Sequence, residues 1–393
     1  MAEVASSTGP SRSVVMLLTN DFVSDPRVEK EALALSDAGW VVTVLAWDRS
    51  QSHPATERRG PIRIERLGPA APYGGGPKSL LKFREFWRRA AIRTQQLAPD
   101  VVHCHDLDTA SAAMEVRRRT GTRGPHVVLD FHELYRESKM VPQSGIVGTL
   151  AAVAVRRVER DAIAAASVVI VANPGTVDSY DDYSARDKMV LVENAPDLDR
   201  FSPRPTLTEP SSAFRVCFIG QKRYTQGLYT LMEAVQRDDR LHALLAGGGV
   251  AETEIAEAAT RFERVEVVGR LRIEEIPAHY EQCDCVYAAY DAKFGNVRTL
   301  FPVKVMEGMA CAVPVLVSRG TWIADYVEEH GIGLAIDEAD VDEVTAALSR
   351  LASDPKLCED MGRRGRNIVE AGLNWKAASS RLIAAYDALA PRG

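Results

Sequence analysis

The sequence predicts an α/β protein made of two successive doubly wound parallel sheets, and three observations carry that expectation. Short, wholly apolar runs alternate with stretches of helical periodicity, the pattern left by strands buried on both faces. A proline-rich break with Pro196, Pro203, Pro205 and Pro210 interrupts this rhythm between Asn194 and Ser212, after which it restarts. The chain has 393 residues, enough for two domains with a core each, and its 46% hydrophobic and 26% charged residues are those of a globular protein.

In chain order, Val14–Leu18 is a fully apolar strand, Arg27–Asp37 a helix and Trp40–Ala46 a second strand. Further strands are expected at Ile62–Leu67, Val101–His103, His126–Phe131, Val168–Val171 and Met189–Val192, with helical stretches between most of them. After the break come a strand at Phe214–Gly220, a helix at Gly227–Val235, a strand at His242–Ala246 and a helix at Ala251–Phe262. Strands then fall at Val265–Val268, Cys285–Ala289 and Val313–Val317, with a helix at Val303–Cys311 and others after Trp322, Val341 and Pro355. Trp375–Leu389 closes the chain as an amphipathic helix with Leu382, Ile383, Tyr386 and Leu389 on its apolar side. The expected division is a flexible tail at 1–13, a first domain at 14–200, a linker at 201–212, a second domain at 213–376 and the closing helix at 377–393. In open sheets of this kind ligands bind beyond the carboxyl ends of the strands, so functional residues belong in strand-to-helix loops.

Composition excludes several classes. A net charge of −6, from 48 basic and 54 acidic residues, leaves no electrostatic footprint for a nucleic acid. Six cysteines scattered through a chain of this length read as reduced thiols, which points to the cytoplasm. The pair Cys283 and Cys285 lacks a second Cys/His pair at metal-site spacing, so no metal centre is expected there. No run reaches the roughly 18 apolar residues of a membrane span, so stable membrane insertion is not expected. Gly247-Gly-Gly249 follows a strand without forming a dinucleotide fingerprint, which argues against a nicotinamide enzyme.

The most informative segment runs from Pro302 to Val317. A loop ending in Pro302 opens a helix whose free amides at Val303 to Val305 can hold a phosphate; Lys304 adds a formal charge, and Glu307, one turn in, can accept from two ribose hydroxyls. The alternative is an ordinary amphipathic helix leading into a buried strand. His132 and Glu133 end a strand and, with Tyr135, offer hydrogen bonds to a polyhydroxylated or amine-bearing acceptor, or else simply order a loop. Asp25 and Arg27 open the first helix; either Asp25 complements the helix dipole, or Arg27 contacts an anion or hydroxyl across a cleft. The basic, aromatic-bearing stretch Lys78–Arg93 places Leu80, Phe83, Trp87 and Ala91 on one helical face. It either packs on the sheet or makes peripheral contact with anionic lipid. Asp106-Leu-Asp108 reads as a helix N-cap and first turn, and Asp197-Leu-Asp199 as part of a proline-rich connection.

Together these motifs resemble the retaining glycosyltransferases of the GT-B fold, family four. The resemblance rests on Glu307-Gly-Met-Ala with Pro314-Val, on Asp25-Pro-Arg-Val28 with Glu31, on His103-Cys-His105-Asp106, on Asp130-Phe-His132-Glu133, and on Glu193-Asn194-Ala-Pro with Asp199-Arg-Phe201, in order from about Val14 to Leu389. It implies two Rossmann-like domains facing across a cleft, the first binding acceptor and the second binding donor, with the closing helix crossing back to the first. It also implies that His105 faces the donor's sugar ring, that Gly220 and Arg270 line the nucleotide, and that Asn296 lies near the cleft. Family members commonly carry an acid eight positions before the glutamate, where this chain has Thr299, and an Arg and a Lys where it has Gln221 and Gln226; Lys222 and Arg223 stand between and can supply the lost charge.

The expected activity is transfer of a sugar from a UDP or GDP donor to a small soluble acceptor, with retention, without a metal and without any cofactor beyond the nucleotide sugar. The departing phosphate oxygen takes the acceptor proton on the same face. The alternatives are an inactive sugar-nucleotide-binding partner, a sugar-nucleotide 2-epimerase and a peripheral-membrane glycolipid glycosyltransferase.

Overall fold

The computed structural model describes residues 12–71, 78–137, 141, 145–183, 185–204 and 213–389, and its packing forms two units. The flexible tail expected at 1–13 and the linker residues 205–212 lie almost wholly outside the described residues.

The first unit comprises the chain up to Ala172, Val177–Val192 and the residues from Ser379 onward. Its elements are β1 (Ser13–Leu18), α1 (Pro26–Asp37), β2 (Val41–Trp47), β3 (Thr56–Arg59), β4 (Ile62–Leu67), α2 (Lys78–Leu97), β5 (Val101–His105), α3 (Leu107–Thr120), β6 (His126–Phe131), α4 (Gly145–Ala165), β7 (Val168–Val171) and β8 (Met189–Leu191). The sheet runs β3-β4-β2-β1-β5-β6-β7-β8 and is parallel except at β3, which pairs antiparallel with β4. β3 escapes a periodicity reading because Thr56-Glu-Arg-Arg59 is a polar edge strand, half of it exposed. Helices α2, α3 and α4 share one apolar layer with the sheet, through Phe86 and Ala90, Ala110 and Ala113, and Ala162 and Ile163 against Val102, Cys104 and Leu129.

The second unit comprises Asn173–Thr176 and Glu193–Ala378. It contains β9 (Phe214–Ile219), α5 (Gln226–Ala234), β10 (Leu241–Ala246), α6 (Glu252–Ala259), β11 (Val265–Val268), α7 (Ile276–Glu281), β12 (Cys285–Ala288), α8 (Gly295–Thr299), α9 (Val303–Ala310), β13 (Val315–Ser318), α10 (Trp322–His330), β14 (Gly333–Ile336), α11 (Val341–Ser353), α12 (Pro355–Ala371) and the start of α13 (Trp375–Asp387). The strand order β11-β10-β9-β12-β13-β14 is all parallel and reverses direction at β9. β14 is a short strand beginning in glycine, with too little apolar run to be read from sequence.

The connection at Asn194–Arg204 is not a loose linker. Ala195 and Phe201 are buried in the second core, Phe201 lies edge-on to Tyr280, and Arg204 donates to the Cys283 carbonyl and pairs with Asp284. The prolines remove helix and strand character without removing packing. Asp197 and Asp199 form a local turn, Asp199 N–H donating to the Asp197 carboxylate at 3.1 Å.

α13 begins in the second unit and ends in the first, where Tyr386 is fully buried, edge-on to Trp40 at 5.0 Å, with its hydroxyl 2.8 Å from His103 Nδ1. All six cysteines are free and buried. Among the described residues no helix is long and apolar enough to cross a membrane.

Candidate active site

In the first unit the carboxyl ends of β5 and β6 bring three sequence-predicted residues together around one buried acid. Asp130, the next-to-last residue of β6, receives the Arg27 guanidinium in two bonds of 2.6 and 2.9 Å. Its Oδ2 also lies 3.1 Å from His105 Nδ1 and 2.9 Å from His132 Nε2. Arg27 donates further to the Val192 carbonyl at 2.8 Å and pairs with buried Glu31 at 3.0 Å. Arg27 is thus tied to Asp130, Glu31 and the end of the chain segment at Val192. Asp25 takes the bland reading: it caps α1, accepting from Val28 N–H at 3.3 Å and from the Asn20 amide at 2.9 Å.

Asp106 stands at the N-cap position of α3, yet its carboxylate caps nothing. It sits at φ +61°, a strained setting for a residue with a β-carbon. Two bonds hold it there: its N–H donates to the Asp130 carbonyl at 2.8 Å, and its Oδ1 accepts the His132 N–H at 3.0 Å. Its Oδ2 is 3.4 Å from His132 Nδ1, so the imidazole is gripped by a carboxylate on each side. Burial alone would lower the basicity of His132, but Asp106 and Asp130 outweigh it and push the pKa up to about 10. Burial works against Asp130 too, but Arg27 and His132 hold its carboxyl well below the usual range. Burial pushes Glu31 up to about 7 and His103 well down.

His105 is almost completely buried; its Nε2 has no hydrogen-bond partner, and its carbonyl already accepts from Thr109 Oγ1 at 2.9 Å. The ring nitrogen, not the carbonyl, is what His105 has to offer a ligand. Glu133 and Tyr135 follow on the same loop, both half-buried, Tyr135 packing on the apolar layer beneath. Glu31, His103, His105 and Asp130 place four potential metal-ligand atoms within 4.8 Å of one another. Both carboxylates of that set are also paired with the single Arg27 guanidinium.

In the second unit the predicted donor residues gather at the ends of β9 and β10 and the start of α9. Gly220 turns the chain at φ +144°, and a β-carbon there would sit 3.3 Å from Lys304 Cε and Nζ. Lys304 is buried, its ammonium 3.1 Å from the Phe218 ring centroid and without a hydrogen-bond partner. Burial drives its pKa well below the ordinary lysine value. Val305 N–H is taken by the Pro302 carbonyl at 2.9 Å, so the amides of Val303 and Lys304, not all three, are the donors α9 presents. Glu307 Oε2 accepts from buried Tyr280 at 2.8 Å, which orients the carboxylate; Tyr280 is a supporting residue that no motif in the sequence signals.

Lys222 departs from its expected role. Its ammonium points inward and donates to the carbonyls of Gly247 and of Val268, while its N–H donates to the Gly248 carbonyl at 2.7 Å and its carbonyl accepts from Ala251. It pins the β9 and β10 loops together and is not available to a diphosphate. Arg223 is exposed and donates to Gln221 at 2.9 Å; Arg270 is exposed beside Gly248. Asn296, on α8, carries a buried Oδ1 with no hydrogen-bond partner.

Comparison with known proteins places this geometry. The family described as glycosyl transferases group 1 matches residues 199–368, and the glycosyl transferase 4-like domain matches residues 25–195. A GDP-mannose-dependent α-(1-6)-phosphatidylinositol monomannoside mannosyltransferase of Mycolicibacterium smegmatis is 27% identical over 306 residues, 71% of this chain and 76% of that protein. A D-inositol 3-phosphate glycosyltransferase of Thermobifida fusca is 24% identical over 383 residues, covering 91% and 87% of the two chains. Among solved structures, sucrose-phosphate synthase from Thermosynechococcus elongatus superposes with a TM-score of 0.77 at 20% identity over 96% of this chain and 98% of that one. Anabaena HepE in complex with UDP gives 0.71 at 14% identity, over 96% of this chain and all of that one. Two matched domains in the expected order, on two parallel sheets of this topology, make the chain a glycosyltransferase of the GT-B fold, belonging to the group 1, family-four-like enzymes.

Proposed function

We propose that the protein transfers a sugar, with retention of anomeric configuration and without a metal, from a nucleoside diphosphate to a hydroxyl-bearing acceptor. The observation that carries this is Lys304: an ammonium held in a buried setting with no hydrogen-bond partner, next to the Gly220 turn and two first-turn amides, costs stability unless an anion completes it. A donor diphosphate is that anion. Glu307, oriented by Tyr280, takes the ribose hydroxyls, and exposed Arg270 lies beside the base. Arg223, the one cation of the β9 loop that faces solvent, takes the distal phosphate in place of Lys222.

In the first unit His105 Nε2 is the free ring nitrogen, and we assign it to the transferring sugar. His132, a cation clamped between two carboxylates, gives up its proton too reluctantly for acid catalysis near neutrality; it positions Asp130 and, through it, His105. No group in the described first-unit cluster offers an activated nucleophile, which favours the same-face route. The bond from the anomeric carbon to the phosphate oxygen breaks, a bond to the acceptor oxygen forms, and the acceptor proton passes to the departing phosphate.

Thermal shift against UDP, GDP, ADP and dTDP tests the donor site, because a ligand of the folded state raises Tm by mass action. One nucleotide is expected to raise Tm for the wild type and to lose that effect in Lys304→Met; no shift with any nucleotide refutes the assignment. With that donor, proton NMR of the product's anomeric centre decides retention, and turnover surviving EDTA decides metal independence.

A further inference from the structure

The helix layer of the first unit has a surface that neither the fold nor the donor site uses. On α4, Ile146, Val147, Leu150 and Val153 are 82%, 67%, 65% and 61% exposed. Ile146, Leu150 and Val153 follow the i, i+4, i+3 spacing of one stripe, and that stripe continues directly into exposed Arg157 and Arg160, with Arg156 alongside. At the start of α2, Leu80 and Leu81 are 59% and 69% exposed, followed by exposed Arg84, Arg88 and Arg89. Leu80 is thus not part of the buried face expected for this helix, whereas Phe83 packs edge-on to Trp47 and Trp87 donates to the Asp108 carbonyl.

Single exposed aliphatics are ordinary on a protein surface; two clusters in one helix layer are not. α2, α3 and α4 carry twelve arginines and lysines against five acids, in a chain whose net charge is −6. The three helices cover one face of the sheet, and each returns against the parallel strands, so their N-terminal ends lie at the carboxyl edge. Leu80 and Leu81 on one side, and Ile146 to Val153 on the other, flank the edge that carries His105 and His132.

We infer that this layer docks on an anionic lipid surface, the apolar helix ends entering the interface and the arginines meeting the headgroups. The charge complement selects this occupant: a second copy of the chain would bring the same basic layer with it, whereas an anionic bilayer supplies both the apolar interior and the opposite charge. Docking in this way holds the carboxyl edge of the first unit against the membrane. It does not depend on the transferase reading.

The test is flotation of the full chain with vesicles of phosphatidylcholine alone or mixed with phosphatidylglycerol, at low and high salt. Wild type is expected to float with the mixed vesicles only, and less at high salt. Leu150→Asp with Val153→Asp is expected to weaken binding by about tenfold or more. Arg84→Glu with Arg156→Glu and Arg157→Glu is expected to abolish the preference for anionic lipid. All five positions are exposed and outside both sites, so an unchanged circular dichroism spectrum shows that the variants fold. The inference is overturned if wild type fails to float with anionic vesicles at low salt, or if the variants float as wild type does. It is equally overturned if sedimentation shows a dimer that Leu150→Asp dissociates while vesicles go unbound.

Discussion

At the scale of single residues, the two sites differ in what their charges lack. Lys304 is buried over the Phe218 ring without a hydrogen-bond partner, so removing its ammonium should move stability and binding in opposite directions. Lys304→Met is expected to raise Tm of the free protein and to weaken nucleoside diphosphate binding by about tenfold or more, from the loss of a charge-assisted bond. A Tm that falls would show that the ammonium is already satisfied. Because burial depresses its pKa, binding a diphosphate at alkaline pH is expected to draw a proton onto Lys304. The calorimetric enthalpy should then change with the buffer's ionisation enthalpy in the wild type and not in Lys304→Met.

His132 is the opposite case, a charge with two partners. Its pKa rises on folding from 6.5 to about 10, so its contribution is complete below pH 6.5 and is lost as pH rises through about 10. Asp106→Asn is expected to bring the titration of the His132 ring protons, followed by NMR, back toward the ordinary histidine range and to flatten the alkaline loss of stability. A ring that still titrates near 10 would place the grip on Asp130 alone. The His132 pair with Asp106 was not legible in the sequence, where Asp106 reads as a helix cap; β-strand register and a strained φ turn it toward His132 instead.

At the scale of elements, the donor end of the second unit depends on two loops approaching backbone to backbone. A β-carbon at Gly247 would lie 2.2 Å from the Gly220 carbonyl oxygen, and one at Gly249 would lie 2.5 Å from that of Lys222. Neither carbonyl can retreat without opening β9 from β10. Gly247→Ala is expected to destabilise by about 2 kcal/mol or more and to reduce nucleotide binding, read by denaturant unfolding and thermal shift. Asp354→Ala, which removes the cap that accepts from Leu357 N–H at 2.9 Å on α12, should cost about 1 kcal/mol and leave nucleotide binding alone. The glycine triplet was visible in the sequence as a close-approach signal. The neighbour it approaches was not, because strand order alone puts the β9 loop beside it.

At the scale of the whole molecule, the last helix is the element whose removal should be felt far from its place in the sequence. Tyr386 and Leu382 are fully buried, and Arg381 donates to the Leu191 carbonyl at 2.7 Å. Deleting residues from Ser379 onward is expected to expose Trp40 and shift its fluorescence to the red, with a lower Tm for the first unit. Unchanged emission would mean that this packing contributes little.

The sequence by itself determined the α/β class, the two-sheet division and most strand positions to within a residue or two, and it pointed to the strand-end loops in which the candidate residues lie. Apolar runs and strand-end polar groups are local signals, and local signals survive in a linear text. Tertiary structure alone decided what each polar group faces. It turned Lys222 inward to two carbonyls, bound Arg27 to Asp130 across 103 positions of chain, packed the proline-rich connection into a core, and left the α4 stripe bare. A charge or an apolar face acquires its meaning from its partner, and partners here are set by the order of strands in the sheet.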